Sequence, residues 1–400
     1  MFREAYIIDG ARTALARYGG SLKEVHPVDL GAAVVKEAIR KAGVEPAKVD
    51  TVIVGSALHY DHNGNYFHRH VGLKAGLPIE TTGLGINVLC GTGIQAVATA
   101  AQQIQLGIAD IVVAVGVEAM DQLPYHVDAK KVRWGTTPGD LSIVDGLFSP
   151  GNNIFWDGLA GISMPLTTEN IVAKYGISRQ EQDEFALRSH QLAKKASDSG
   201  RFAEEIVGVE VKEKRETRIF DKDEGIRETS LEQLAAMKPA FKKDGTVTAG
   251  NASGINSGSV AVVLASPEAM EKYGLKPLAK YVSNKLAGCE PTFMGLGPVP
   301  SSQGALKQAG LTLKDIDLIE INEAFAGQYL GVERELGLDR DKVNVNGGGI
   351  ALGHPIAATG VRIIFTLAYE LRRRNLQYGL ASLCIGGGQG AAIIIENASK

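Results

Sequence analysis

The chain has 400 residues, of which 44% are hydrophobic, 22% charged and 6% aromatic. That length divides into two or three domains and buries a core able to fold without disulfide or metal staples. A net charge of −3 offers no basic surplus for nucleic acid or an anionic membrane, and three cysteines are too few for a disulfide framework. Glycine stands out at 48 residues. No targeting segment and no apolar run of membrane-spanning length is evident, so a soluble, cytoplasmic protein is expected.

A strand-like run, Glu4–Asp9, opens the chain. A helix follows over Val28–Ala42, with Pro27 at its start and Gly43 just past its end. Thr51–Ala57 reads as a strand, Ile94–Leu106 as a helix closed by Gly107, and Ile111–Gly116 as the next strand. Strands at Ser259–Ala265 and Leu318–Ile321 come later. A helix over Val361–Arg373 ends among Arg372, Arg373 and Arg374, where cations suit its dipole. Strands at Gly379–Ile385 and Ala391–Glu396 close the series. The strands are rich in Val, Ile and Leu without clean alternation, as in sheets covered on both faces. A layered α/β protein is predicted.

The stretch from Asp121 to about Gly250 is more polar, with a charged helix at Arg179–Ser197 and a charged run around Lys212–Glu228. It reads as an insertion outside the sheet. The flanking regions echo each other. Val49–Leu58 (VDTVIVGSAL) resembles Ile316–Phe325 (IDLIEINEAF), and each precedes a glycine-flanked cysteine, Cys90 or Cys384. A duplication is expected. The first half covers 1–120, completed by about 251–270; the inserted loop domain covers 121–250 and the second half 271–400.

Several residues could carry chemistry. Cys90 ends an apolar run in NVLCGTG, before small residues and a helix, a pattern like a nucleophile elbow. A helix N-terminus there lowers a thiol's pKa and offers N–H groups to an oxyanion; an inert core thiol fits the local sequence equally well. Cys384 precedes the glycine run Gly386–Gly388 and has the same two readings. His354 follows a glycine-rich loop and precedes Pro355, suiting either a proton shuttle or a hydrogen-bonded loop histidine. Asn322 follows a strand and serves as an oxyanion donor or a helix cap. The four histidines of His59–His70, at HxxH and HxH spacings, could ligate a metal, but with no second ligand cluster they read first as a solvated loop. The glycines after Cys384 lack room for a dinucleotide-binding unit, and GNASG (Gly250–Gly254) is not a serine elbow.

Together these segments resemble the thiolase family over nearly the whole chain. IIDGARTALARYGGSL, NVLCGTGIQAV, GTVTAGNASGINSG, MGLGPVP, INEAFAGQ, NVNGGGIALGHPIAATG and CIGGGQGAA occur in the family's order. The resemblance implies two βαβαβαββ halves in an αβαβα layering, plus an inserted loop domain. It implies Cys90 as the acyl-accepting nucleophile, His354 as its base, and Cys384 as the acid/base for the α-proton. It further implies an oxyanion hole from His354 and a water held by Asn322, and a second from the N–H groups of Cys90 and Gly386. Ser253, Met164, Ala324 and Phe325 fall along the pantetheine arm of coenzyme A, and Arg227 falls by its nucleotide.

The implied activity is reversible condensation of two acetyl-CoA to acetoacetyl-CoA, with coenzyme A thioesters as substrates and no cofactor. A degradative 3-ketoacyl-CoA thiolase with longer-chain preference and a non-catalytic acyl-CoA- or lipid-binding relative are the alternatives. Ser163 stands where short-chain biosynthetic members carry histidine, Phe293 where they often carry a smaller residue, and Ala357 where glycine is usual. Ser163 and Phe293 are expected near the acyl pocket. The resemblance also implies a homodimer or homotetramer; Asp121–Asp140, where tetrameric members carry their assembly loop, is unlike theirs.

Overall fold

A computed structural model describes residues 2–135, 138–151, 153–213 and 216–399. Thr136 and Thr137 of the Asp121–Asp140 segment, and Lys214 and Arg215 of the Lys212–Glu228 run, lie outside the described residues. In chain order the first half supplies β1 (Tyr6–Thr13), α1 (Pro27–Ala42), β2 (Thr51–Gly55), α2 (Phe67–Lys74), β3 (Thr82–Ile86), α3 (Thr92–Gln105) and β4 (Ile111–Ala119). The middle carries α4 (Met164–Tyr175) and α5 (Arg179–Asp198), and β5 (Asn256–Ala265) follows. The second half supplies β6 (Ala279–Gly288), α6 (Pro298–Ala309), β7 (Leu318–Ile321), α7 (Ala326–Leu336), α8 (Ile356–Arg374), β8 (Tyr378–Ile385) and β9 (Gln389–Asn397).

The strand order shows the duplication. From the joint outward, the first half reads β1-β5-β4-β2-β3 and the second β6-β9-β8-β7. In the second half a lone parallel bridge, Ile319 to Val343, stands where β3 lies in the first. β2 runs parallel to β3 and β4, and β7 parallel to β8. β4–β5–β1 and β8–β9–β6 are antiparallel. Even the register breaks correspond, between Ile7 and Asp9 in β1 and between Tyr281 and Ser283 in β6. The echoing segments found in the sequence are β2 and β7 with their following turns. The halves join where Tyr6 and Ile7 pair with Lys280 and Ala279.

Burial on both faces explains the apolar strands. Val112 and Ala114 of β4 face a central cluster with α3, α8 and strands of both halves. Val113, Val115 and Val117 face α1 and α2 on the outside. The other outer cluster joins α4, α6 and α7 to the second half. The result is a five-layered αβαβα arrangement with α3 and α8 at its centre.

The structure departs from the sequence reading in several places. β3 and β6 are strands with no apolar run: β3 (TGLGI) is an exposed edge, and β6 has one partly open face. α6 begins Pro298-Val299-Pro300, which resembles a turn but places prolines in a first helical turn, where they fit. The middle segment is not wholly outside the sheet, because Ile206 and Val207 pair with Arg12 and Thr13 at the end of β1. Among the described residues no helix is long and apolar enough to cross a membrane.

Candidate active site

Two glycines bring the site together. A Cβ at Gly93 would lie 2.6 Å from the carbonyl of Ala357, and one at Gly360 would strike the backbone of Gly93 and Ile94. The first turns of α3 and α8 therefore touch backbone to backbone. Cys90 stands two residues before α3 and His354 two before α8, so this contact draws both helix N-termini into one place.

Cys90 sits on a constrained turn. Leu89 before it has φ of 47°, the left-handed region that costs a branched side chain energy. Local bonds hold it there. The Leu89 N–H donates to Asn87 Oδ1 at 3.0 Å, the Val88 N–H to Thr92 Oγ1 at 2.8 Å, and the Gly91 N–H to the Val88 carbonyl at 2.9 Å. The half-buried thiol is pushed up to about 11 by burial, opposed by the N–H groups of Gly386 and of Cys90 itself, which point at the sulfur. These two donors come from different halves of the molecule. Gly386 follows β8, and the left-handed Gly387 and Gly388 (φ 84° and 80°) turn the chain back into β9.

His354 stands two residues before α8, whose first turn touches that of α3. Its Nδ1 bonds Thr359 Oγ1 at 2.7 Å, and that hydroxyl donates to the Pro355 carbonyl at 3.1 Å. With its own hydrogen so engaged, Thr359 accepts from Nδ1–H and leaves Nε2 as the free lone pair. Nε2 is buried with no partner among the described residues, and so are both amide atoms of Asn322. Unpaired buried polar atoms are costly, and such a group marks a place built for a ligand or water. Burial holds the imidazole down at about 4, with Arg362 adding to the effect.

Cys384 is buried among Met294, Ala324, Met164 and Phe325. Burial pushes its thiol well up, and the nearby Cys90 sulfur adds to this. Met164 lies over the glycine turn, 3.3 Å from where a Cβ of Gly386 would be. Ser253 runs beside the Asn322–Phe325 turn and donates its N–H to the Ala324 carbonyl at 2.9 Å. Exposed Arg227 lines a cavity of about 260 Å³ that also touches Arg17, Tyr18, Gly254, Asn256 and Gly353. Asn256 Oδ1 accepts the His354 N–H at 3.2 Å, so this cavity adjoins the histidine loop. Two thiols, an imidazole acceptor, an amide and paired N–H donors form a set suited to moving an acyl group between thiols.

Residues 5–268 match the N-terminal domain of thiolase and residues 275–397 its C-terminal domain. The chain belongs to the thiolase family. It is 46% identical to the human mitochondrial 3-ketoacyl-CoA thiolase over 399 residues, covering 99% of each chain. It is 47% identical to the acetyl-CoA acetyltransferase of Escherichia coli (strain K12) over 395 residues, 98% of this chain and 99% of the relative. The crystal structure of the human mitochondrial 3-ketoacyl-CoA thiolase in complex with CoA superposes with a TM-score of 0.94 at 46% identity, over 99% of this chain and 98% of that one.

Not every residue expected near the thiolase site lies there. Phe293 turns outward into the second-half cluster, with the Lys174 ammonium 5.6 Å from its ring, because the backbone leaves helical angles at this residue (φ −125°, ψ 31°). Its neighbour Met294 takes the inward place against Cys384. The histidines of His59–His70 are spread along a loop and α2: His70 stacks on Tyr66 and His68 packs against Gly85. Among the described residues no three metal-ligating side chains converge. Sequence reasoning missed Thr359, whose signal is a hydroxyl little more than one helical turn beyond the histidine. It also left Glu323 unassigned; this buried acid accepts from Ser189 Oγ (2.5 Å), Asn344 Nδ2 (2.8 Å) and the Ile350 N–H (3.2 Å), and so fixes the glycine loop before His354.

Proposed function

We propose that this thiolase is an acetyl-CoA C-acetyltransferase that works through an acyl-Cys90 intermediate. The observation that carries this reading is the pair of N–H groups, from Cys90 and Gly386, aimed at the Cys90 sulfur. An acyl group formed on that sulfur presents its carbonyl oxygen to preset donors.

In the thiolytic direction the Cys90 thiol gives its proton to His354 Nε2 as sulfur attacks the 3-keto carbon of acetoacetyl-CoA. Both groups are neutral at rest, so the transfer accompanies the attack. The N–H groups of Cys90 and Gly386 receive the oxyanion that forms on C3, while His354 and a water held by Asn322 steady the thioester oxygen of the departing enolate. The bond between C2 and C3 then breaks. The departing acetyl-CoA carbanion takes a proton from Cys384, whose raised pKa keeps it in the thiol form needed for that donation. Incoming CoA gives its thiol proton to the Cys384 thiolate and attacks acetyl-Cys90; the acetyl–sulfur bond to Cys90 breaks, acetyl-CoA leaves, and the Cys90 thiolate recovers its proton from protonated His354. Condensation reverses these steps. Ser253, Met164, Ala324 and Phe325 line the path of the pantetheine arm, and Arg227 meets the nucleotide.

Met164, Met294 and Phe325 crowd Cys384, which favours a two-carbon acyl group over a long chain. Phe293, facing outward, gives no reason to expect a changed pocket. The test is thiolysis of acetoacetyl-CoA against a medium-chain 3-ketoacyl-CoA. Preference for the short substrate supports the acetyltransferase; equal or better cleavage of the long one makes the enzyme a degradative thiolase.

The site supports a homo-oligomer. β3 is an unpaired sheet edge with Leu84 exposed, and it runs directly into the Cys90 turn, where Leu89 is also exposed. An open edge of this kind is a template for a second strand, here from a second copy. Exposed Trp134, Ile143 and Leu159 on the inserted loops offer apolar surface for a further dimer-to-dimer contact. Sedimentation of the wild type against Leu84→Lys checks the edge contact.

A further inference from the structure

Glu118 is fully buried at the end of β4 and takes no part in the steps above. Its Oε2 accepts the Ala357 N–H at 3.0 Å and the Ala57 N–H at 3.2 Å. Its Oε1 accepts the Tyr60 hydroxyl, and that hydroxyl itself accepts the Ala119 N–H at 3.0 Å. Each of the two N–H groups leads to a reacting residue. Ala357 is in the first turn of α8, three residues beyond His354. The Ala57 carbonyl accepts Asn87 Nδ2 at 3.2 Å, and Asn87 Oδ1 accepts the N–H of Leu89, the left-handed residue before Cys90.

The duplication makes this acid conspicuous. Thr51 of β2 pairs with Val112, and Leu318 of β7 pairs with Gly379. Counting on from those partners, Glu118 and Ile385 occupy the same place in β4 and β8. Ile385 meets Gly91 at the start of α3 as an apolar contact; Glu118 meets the start of α8 as a hydrogen-bond acceptor. Burying a carboxylate costs much more than burying an isoleucine, so packing alone does not account for it.

We propose that Glu118 is a positioning residue for acyl transfer: one buried carboxylate holds the turn that presents Cys90 and the helix start that presents His354 in a common register. This inference rests on the assignment of Cys90 and His354 above.

The test uses the full chain and compares wild type, Glu118→Ala, Glu118→Gln and Asn87→Ala. It measures thiolysis of acetoacetyl-CoA and the rate at which iodoacetamide alkylates Cys90, mapped by peptide. Misplacement of reacting groups by an ångström costs on the order of 100-fold, so Glu118→Ala is expected to lose about 100-fold in kcat with KM within about threefold. Glu118→Gln keeps an oxygen facing both N–H groups and restores kcat to within about tenfold of wild type. Asn87→Ala cuts only the branch to Leu89 and loses about tenfold in kcat. A Glu118→Ala kcat within about threefold of wild type, or a loss that glutamine does not restore, overturns the proposal. If Glu118→Ala fails to fold, a wild-type kcat in Asn87→Ala overturns it equally. Alkylation needs no acyl-CoA and so separates the two readings. A wild type that cleaves nothing, yet whose Cys90 alkylation slows on Glu118→Ala, removes the activity and keeps the positioning role.

Discussion

In the first half an edge strand of five residues leads to Cys90, two residues before α3; in the second, a lone bridge at Val343 and a glycine loop lead to His354, two residues before α8. The same layout thus delivers a nucleophile on one side and a base on the other. The strand ends differ in the same way. β8 ends in Cys384 and Ile385 and is followed by Gly386, which supply a proton carrier, an apolar contact and an oxyanion donor in turn. β4 closes with Glu118, which supplies structure. Duplication fixed the convergence of two helix N-termini through Gly93 and Gly360, and the chemistry then diverged in the loops. Packing in the central layer is shared between the halves, whereas each reactive group belongs to one half only.

That contrast can be broken one group at a time. Removing the nucleophile has the largest effect: Cys90→Ala is expected to lower kcat for acetoacetyl-CoA thiolysis by at least about 10⁴-fold, since no other group forms the covalent intermediate. Steady-state thiolysis measures it, and a residual rate near wild type would place the nucleophile elsewhere. Cys384→Ala sharpens the picture, because it separates the half-reactions. Carbon–carbon cleavage should fall by about 10³-fold. Exchange of labelled CoA into acetyl-CoA needs only acetyl-Cys90 and should fall far less. Equal losses in both assays would mean that Cys384 supports Cys90 rather than carrying the α-proton. Asn322→Ala removes one oxyanion support and should cost about 100-fold in kcat.

The contact that joins the halves is tested through stability. A side chain at Gly360 has nowhere to go, because the backbone of Gly93 and Ile94 fills the space. Gly360→Leu should destabilise the fold by about 1–3 kcal/mol, as overpacking does, and push α3 and α8 apart. Urea unfolding gives the first quantity. The second appears as a loss of kcat in protein that is still folded. A folded, fully active Gly360→Leu would show that close helix contact is dispensable for alignment.

What the sequence disclosed follows from burial. β4, β5 and β8 are covered on both faces, so their residues are apolar throughout and stand out. β3 escaped notice because it is an open edge: Gly83 lets it lie on the backbone of Arg69, and Gly85 leaves room for the His68 ring. β6 escaped because its apolar residues are interrupted by two lysines, a serine and an asparagine. Cys90, His354 and Cys384 were visible through the glycines that shape their turns. Glu118 was not, since it sits without any motif inside IVVAVGVEA. Its only signal is an acid in a strand otherwise wholly apolar, which is the kind of burial that demands partners. The outward turn of Phe293 could not be read at all, because it depends on one non-helical residue within a short turn.

A last expected effect is on stability in mild acid. His354 is held at about 4 by burial and by Arg362, and His190 of α5 at about 4 by burial and by Arg227. In the unfolded chain each titrates near 6.5. Above that pH both are neutral in both states and contribute no slope. As the pH falls from about 6.5 towards 4, the unfolded chain takes up protons that the folded protein refuses. Each of these histidines then contributes a fall of about 1.4 kcal/mol per pH unit, which ends once the folded imidazoles also protonate; Glu118 and Glu320, pushed up by burial to about 7 and about 8, act in the opposite sense. Urea midpoints at pH 7, 5.5 and 4.5 measure the drop. His190→Gln removes a buried base outside the reacting set and should take about 1.4 kcal/mol per pH unit out of the acid limb. An acid limb unchanged in this variant would mean that His190 is already protonated in the fold.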